Sequence, residues 1–238
     1  MLRFMVRHTC FQFCLDPTVE QCTALARHAG AARVAYNEWL ATVKTALTAR
    51  DSNPQVVVPW SGFDLINHIN TWKKSEAAGR VFAVDPRGVT TVTVMGLAWR
   101  QEVCQQVFEE SAVDCGRALA GWSQSRSGTR RGRRVGFPRF KRKTDATQRF
   151  RIRNKNSSRG RSTIRVGDNG IARSITLTTL GTIRVREDTR RLRRMLGSGR
   201  AKILFATVTR RAGRWLMSVN VEAADLHPNR RHSARASG

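Results

Sequence analysis

Phe11-Gln12-Phe13-Cys14-Leu15-Asp16-Pro17-Thr18-Val19 changes its periodicity within nine residues, and that change sets the class of fold. Phe11, Phe13 and Leu15 alternate with Gln12 and Cys14, the period of two expected of a half-buried strand. Asp16-Pro17-Thr18 then announces a helix. Asp16 can cap it with Pro17 in the first helical position, or Thr18 can cap it with Gln21 reaching back. Towards the N-terminus the strand is expected to begin at Leu2. Phe4 and Val6 fall on the opposite parity, which predicts a bulge near Thr9 or Cys10.

Beyond the switch the pattern is helical. Val19, Cys22, Leu25, Ala26 and Ala29 recur at helical spacing, and Gly30 is placed to end that helix. A second helix is expected over 31–49, with Val34, Ala35, Trp39, Leu40, Val43 and Leu47 as its apolar stripe. Two helices parted by one glycine read as a helix-turn-helix. A helical hairpin in a bundle core fits as well, because few basic residues decorate the second helix. Asn53-Pro54 and Pro59 mark a loop over 51–59, and short helices follow around 64–73. A longer helix is expected from Val89 or Thr90 to Trp122, although the β-branched run at its start suits a helix poorly. Its inner face is Trp99, Val103, Val107, Ala112, Cys115 and Leu119, while Glu110 and Asp114 read as solvated charges.

The composition then changes abruptly. Residues 1–125 hold 12 basic and 11 acidic residues, whereas 31 basic and 6 acidic residues follow from Arg126 onward. The whole chain of 238 residues carries a net charge of +26, with a pI near 11.7. Charge on this scale repels itself, so the compact state gains from a polyanion, and nucleic acid is the expected partner. No uncharged stretch approaches the roughly 20 residues that span a bilayer, so no membrane partner is expected. The N-terminus lacks the continuous apolar core of a secretory signal, which points to the cytoplasm.

Between Arg126 and Arg165 sixteen Lys or Arg face the single Asp145, and Gly128, Gly132, Gly136 and Pro138 break any regular element. Phe137, Phe140 and Phe150 are interleaved with this charge, as in a segment that docks and stacks on nucleic acid. A docking turn formed by Phe137, Pro138 and Phe140 is the compatible structural reading. The candidate phosphate ligands are Arg126, Arg130, Arg131, Arg133, Arg134, Arg139, Lys141, Arg142 and Lys143. Arg149, Arg151 and Arg153 alternate on the next strand and are expected to line one face towards nucleic acid. Arg190, Arg191, Arg193 and Arg194 offer a second patch on a basic helix over 190–196.

From Phe150 the pattern is β. Ile164 and Val166 lead into Asp168-Asn169-Gly170; Ile175, Leu177, Ile183 and Val185 follow, and strands over 203–209 and 215–221 flank a short loop containing Gly213. Trp215, Met217, Val219 and Val221 are expected to point inward. Short strands at this spacing suggest a small closed barrel. The polar tail is expected to be disordered.

Several blocks resemble one family. Phe11 to Thr18 with Gln21, then Ala31-Ala32-Arg33-Val34-Ala35-Tyr36-Asn37 with its aromatic-Asn pair, are similar to the opening of TnpB (OrfB) proteins of insertion-sequence transposons. Gly136-Phe137-Pro138-Arg139-Phe140-Lys141 resembles their Gly-x-Pro-x-Phe-Lys signature, and 175–185 with 201–221 resemble their later strands. The resemblance implies an α+β fold: an oligonucleotide-binding-like barrel, called the wedge domain, with a helical recognition domain inserted after its first strand. On this basis the chain divides into a first strand (1–15), a helical domain (16–125), a basic linker (126–149), a barrel (150–222) and a tail (223–238).

The resemblance also implies binding of a guide RNA and target DNA. It implies cutting by an RNase-H-like domain with three acids and a four-cysteine zinc ribbon. The chain ends 13 residues after Asp225 with no Asp-x-Gly strand and no paired cysteines. It is therefore expected to be a truncated relative, natural or a fragment, that binds without cleaving. The alternatives are a regulator that sequesters guide RNA or pairs with a full-length relative, and a ribosome-associated RNA-binding protein. No cofactor is expected. The five cysteines include no CxxC pair and the histidines no HxxH, so buried reduced thiols are favoured over a metal site among Cys10, Cys14, Cys22 and His28.

Overall fold

The computed structural model describes residues 7–144, 147–156 and 160–223. Its elements in chain order are β1 (Arg7–Asp16), α1 (Val19–Ser52), α2 (Gly62–Trp72), β2 (Arg80–Val84), β3 (Thr90–Met95), α3 (Gln105–Arg126), β4 (Gln148–Arg153), β5 (Ile164–Val166), β6 (Ser174–Leu177), β7 (Gly181–Val185), α4 (Arg190–Gly197), β8 (Ala201–Arg211) and β9 (Arg214–Ala223). The described residues fall into two compact units: one holds those from 7 to 21 together with those from 152 to 223, the other those from 22 to 151. The fold is mixed, with helices concentrated in the second unit and strands in the first.

In the first unit seven strands follow the order β4-β8-β9-β1-β7-β6-β5. Phe13 and Leu15 point into the core, as their alternation requires, beside Met217, Val219 and Val221 of β9. β1 pairs with β9 without interruption from Arg7 opposite Ala223 to Cys14 opposite Leu216, so the bulge expected near Thr9 or Cys10 is not there. Phe4 and Val6, whose parity prompted it, lie outside the described residues. β1 then changes partner: Leu15 and Asp16 pair with Val185 and Arg184 of β7. α4 covers this core with Leu192 and Met195, one turn apart. The β8–β9 turn places Ala212 at φ 47° and Gly213 at φ 75°, the two left-handed residues of a hairpin turn that matches strand twist.

The expected closed barrel is corrected to an open sheet with β4 and β5 at its ends. Beside those ends the chain meets itself through the main chain, with Thr163 N–H donating to the Lys155 carbonyl (2.9 Å) and an isolated bridge between Asn156 and Ser162, while side chains take the neighbouring amides. Ile164 N–H donates to Asn154 Oδ1 (3.0 Å), and Lys155 N–H donates to Thr163 Oγ1 (2.8 Å). The predicted disorder over 225–238 lies outside the described residues.

The helical unit departs from expectation in two places. α1 runs unbroken through Gly30, so one 34-residue helix, rather than two with a turn, follows the first strand. Thr18 and Gln21 form its capping box, with Gln21 N–H to Thr18 Oγ1 (3.3 Å) and Thr18 N–H to Gln21 Oε1 (3.1 Å). A single helical glycine costs only about 1 kcal/mol relative to alanine. The surrounding alanines and the buried Leu25, Tyr36, Trp39, Leu40 and Val43 outweigh it.

The long helix expected from Val89 is instead a hairpin, β2–β3, followed by the shorter α3. Asp85-Pro86-Arg87-Gly88 makes its turn. Asp85 Oδ1 accepts from the amides of Arg87 (2.9 Å) and Val89 (2.8 Å), and Gly88 sits at φ 80°. α2 is set by a capping box between Ser61 and Asp64.

His28 fastens α1 to the start of α3. It is fully buried; its Nδ1 lies 2.8 Å from the Ala24 carbonyl, and the Cys104 amide donates to its Nε2 at 3.1 Å. Nδ1 therefore carries the proton of a neutral ring. With both nitrogens spent on backbone, His28 is not oriented as a ligand beside Cys22. Burial lowers its pKa from the ordinary histidine value. The stability it confers is complete above about pH 6.5 and is lost as pH falls towards the depressed folded value, at up to about 1.4 kcal/mol per pH unit. Urea midpoints measured from pH 7 to 5 should therefore decline more steeply in the wild type than in His28→Gln. Parallel declines would assign the titration to other groups.

Candidate nucleic-acid interface

Between α3 and β4 the described residues form no helix or strand, yet the segment is tightly placed within the helical unit. Asn37 on α1 grips the main chain of Lys141 with both halves of its amide. Nδ2 donates to the Lys141 carbonyl (2.9 Å) and Oδ1 accepts from the Lys141 N–H (2.8 Å). Next to this clamp the Lys141 ammonium lies 3.7 Å from the centre of the Tyr36 ring. Much of Lys141 is exposed, but its charged end is packed away, and that desolvation lowers its pKa.

Eight residues along α1 from Tyr36, Lys44 holds its ammonium 4.7 Å from the Phe140 ring and 5.9 Å from that of Phe137. Phe137 meets Trp122 edge-on at 4.9 Å, and Trp122 stacks on Trp60. Phe137 is thus half-buried in an aromatic cluster, which is a docking geometry. Phe140 remains 46% exposed.

From the clamp the segment continues against the first half of α1 and encloses a cleft of about 620 Å³. Ala26, Ala29, Gly30 and Arg33 form one wall; Lys141, Arg142, Lys143, Thr147, Gln148 and Arg149 form the other. The spacing i, i+3, i+4, i+7 puts the four α1 residues on one helix face, and three of them are too small to fill the space. At Gly30 a Cβ would meet nothing within 4 Å. Five cations line the cleft with no carboxylate among the described lining residues. Low-dielectric walls bearing one sign of charge focus the field and attract a polyanion.

The other predicted residues are distributed as follows. Arg126 lies over Trp122, 5.7 Å from the ring centre. The Arg130 amide bonds to the Gln124 carbonyl (3.1 Å), while Arg131, Arg133, Arg134 and Arg139 are exposed, with no ion-pair partner among the described residues. Arg149 is exposed and lines the cleft, and Arg153 is exposed on β4.

Arg151 is a correction. Its side chain is 12% exposed and faces Asp114 (3.0 Å) and the buried Glu110 (3.7 Å), so it neutralises carboxylates of α3 instead of meeting solvent. Glu110 and Asp114 are accordingly not the free helix charges that their spacing suggested. In the sheet unit Arg190, Arg191 and Arg194 are exposed on α4, with Arg191 5.9 Å from the Phe11 ring. Arg193 is half-buried and anchored to Thr189 Oγ1 (3.2 Å). The sequence reading passed over Arg33, Lys44 and Trp60. The small residues one turn apart from Ala26 to Arg33 were the available signal of a close-approach face.

A family model of an OrfB-type helix-turn-helix domain matches residues 5–52. Two Mycobacterium tuberculosis proteins, from different strains and both named as candidate RNA-guided DNA endonucleases, are each 31% identical to this chain over 211 residues. The match covers 89% of this chain and 41% of either relative, so the chain spans well under half the length of the relatives it matches. Among the described residues no helix is long and apolar enough to cross a membrane.

The two hydrogen bonds from Asn37 hold one wall of the cleft in place. Asn37→Ala should cost about 1–3 kcal/mol, since two backbone groups lose their partner. It should also accelerate amide hydrogen exchange at Lys141 while leaving the sheet unit unchanged. Unaltered exchange there would show that the clamp does not secure the segment.

Proposed function

We propose that the chain belongs to the OrfB (TnpB) family, whose helix-turn-helix model matches residues 5–52, and that it binds RNA or DNA through the cationic cleft of its helical unit without cutting it. The observation that carries this reading is the convergence of Arg33, Lys141, Arg142, Lys143 and Arg149 around a cleft with no described acid in its lining. Phosphates entering there release counterions and relieve the mutual repulsion of the five cations. The exposed Arg131, Arg133, Arg134 and Arg139 extend the positive surface along the same segment. Phe140, with Lys44 against its ring, offers an adjacent aromatic face for a base. The order of one strand, then helices, then strands supports reading the sheet unit as a wedge-type oligonucleotide-binding module and the helical unit as the recognition domain. Arg190, Arg191 and Arg194 form its second patch. A binding role without cleavage is supported by the engagement of Glu110 and Asp114 with Arg151, which takes the carboxylate pair of α3 out of consideration for metal chemistry. The names of the two mycobacterial relatives agree with RNA and DNA as the polymers.

The test is salt-dependent binding of RNA and DNA oligonucleotides. The slope of log K against log salt should become shallower by about 0.7 to 0.9 for each phosphate contact removed. The combined change of Arg33, Arg142, Lys143 and Arg149 to Ala should therefore flatten it by roughly 2.8 to 3.6, with a smaller effect from changing Arg130, Arg131, Arg133 and Arg134. A wild-type slope in the first variant would remove the cleft from the interface.

A further inference from the structure

The hairpin β2–β3 stands out from everything around it. Every residue from Arg80 to Thr93 is exposed. Among the described residues, six of the twelve exposed large hydrophobic side chains lie within it: Val81, Phe82, Val84, Val89, Val92 and Met95. Its base is fixed within the helical unit. Gly96 lies so close to the backbone of Lys73 and Lys74 that a Cβ could not be accommodated, and the Leu97 amide bonds to the Lys73 carbonyl at 2.9 Å. From that anchor the ribbon projects with both faces open, a state in which two strands alone are marginally stable in water.

The register sorts its side chains. Phe82 pairs with Val92 and Val84 with Thr90, and directly opposed residues share a face. One face is therefore Phe82, Val84, Thr90 and Val92; Ala83 and Thr91 lie on the other. β3 carries no charge at all, and so lacks the charged residues that usually guard an exposed strand.

We propose that this face packs against the same face of a second copy of the chain, related by a two-fold axis. Phosphate is a poor occupant. In a chain of net charge +26 the ribbon carries only Arg80, Asp85 and Arg87, and the Asp85 carboxylate is already bonded to the turn amides. With two cations and one anion, the ribbon adds little like-charge repulsion of its own to a contact between two copies. A two-fold contact matches each apolar row with its equal. The apolar area per copy is small, since the face presents Phe82, Val84 and Val92, 53%, 66% and 44% exposed. Doubled, it stays below the roughly 1,200 Å² of a standard stable interface, which makes the dimer weak and reversible.

The experiment is sedimentation of the whole, nuclease-treated chain in about 0.5 M salt, where screening shortens electrostatic reach to a few Å. The absence of nucleic acid separates this question from the binding reading. The expected result is a monomer–dimer equilibrium with Kd on the order of 10 µM. Val92→Lys should weaken it at least tenfold, about 1.4 kcal/mol. Thr91→Lys, the same charge on the opposite face, should change it by no more than about twofold. Both positions are exposed, and unchanged circular dichroism and melting would confirm that both variants fold. A monomer at every concentration, or equal weakening by the two variants, would overturn the proposal, as would a dimer held through another surface and indifferent to Val92→Lys.

Discussion

The Asn37 amide is the constraint on which the candidate interface rests. A side-chain amide offers a donor and an acceptor side by side, as a peptide group does, so one residue can stand in for a strand partner. Here it satisfies both main-chain groups of Lys141 in a segment with no ladder of its own. Around it lie two cation–π contacts, Lys141 on Tyr36 and Lys44 on Phe140. Together these attractions, each about 1 kcal/mol, oppose the repulsion of five cations facing one cleft. The cationic wall is held against α1 by amide hydrogen bonds and aromatic faces, with no carboxylate among the described residues that line the cleft.

The three arginines of β4 show how position divides identical side chains. Arg149, Arg151 and Arg153 share a strand face, with Phe150 and Ile152 buried on the other. Arg151 lies beneath the carboxylates of α3 and pairs with both Asp114 and the buried Glu110. Removing Arg151 would therefore test folding before it tested binding. Arg149, two residues away, opens onto the cleft.

Local patterning made much of this legible in the sequence. The strand-to-helix switch at Asp16-Pro17-Thr18, the capping box, the inward row of β9 and the basic helix α4 all follow from periods of 2 and 3.6 and from capping chemistry. What was not legible depended on contacts distant along the chain or on small energy differences. The penalty at Gly30 is minor beside the packing of α1, so a glycine that looked like a stop is a gap in a cleft wall. The fate of Glu110 and Asp114 turned on Arg151, 37 residues beyond Asp114. The aromatic-Asn pair and the Gly-x-Pro-x-Phe-Lys block could be quoted separately, but that Asn37 takes hold of Lys141 could not be derived from either alone. The β2–β3 hairpin was available: Asp85-Pro86-Arg87-Gly88 is a type I turn signature between β-branched runs. An apolar periodicity assigned to a single long helix concealed it. Open strand order, finally, is set by which strands pair across the whole sheet, and those contacts between residues distant along the chain leave no local pattern.

Within the helical unit the chain separates two surface chemistries that would interfere if mixed. Apolar side chains placed among the cleft cations would screen no charge and would be wetted at a cost. Cations placed on the hairpin would guard its edges but repel an identical ribbon. The sequence instead keeps β3 free of charge and gathers Arg and Lys after α3. Salt should act on the two surfaces in opposite directions, since screening weakens phosphate binding while it lowers the repulsion between copies of a highly cationic chain. Contact with a polyanion does the same work locally: it neutralises the cleft cations and removes the main electrostatic obstacle to two copies approaching. Occupation of the cleft and pairing of the hairpins are therefore expected to favour one another, through charge alone and without any change of shape.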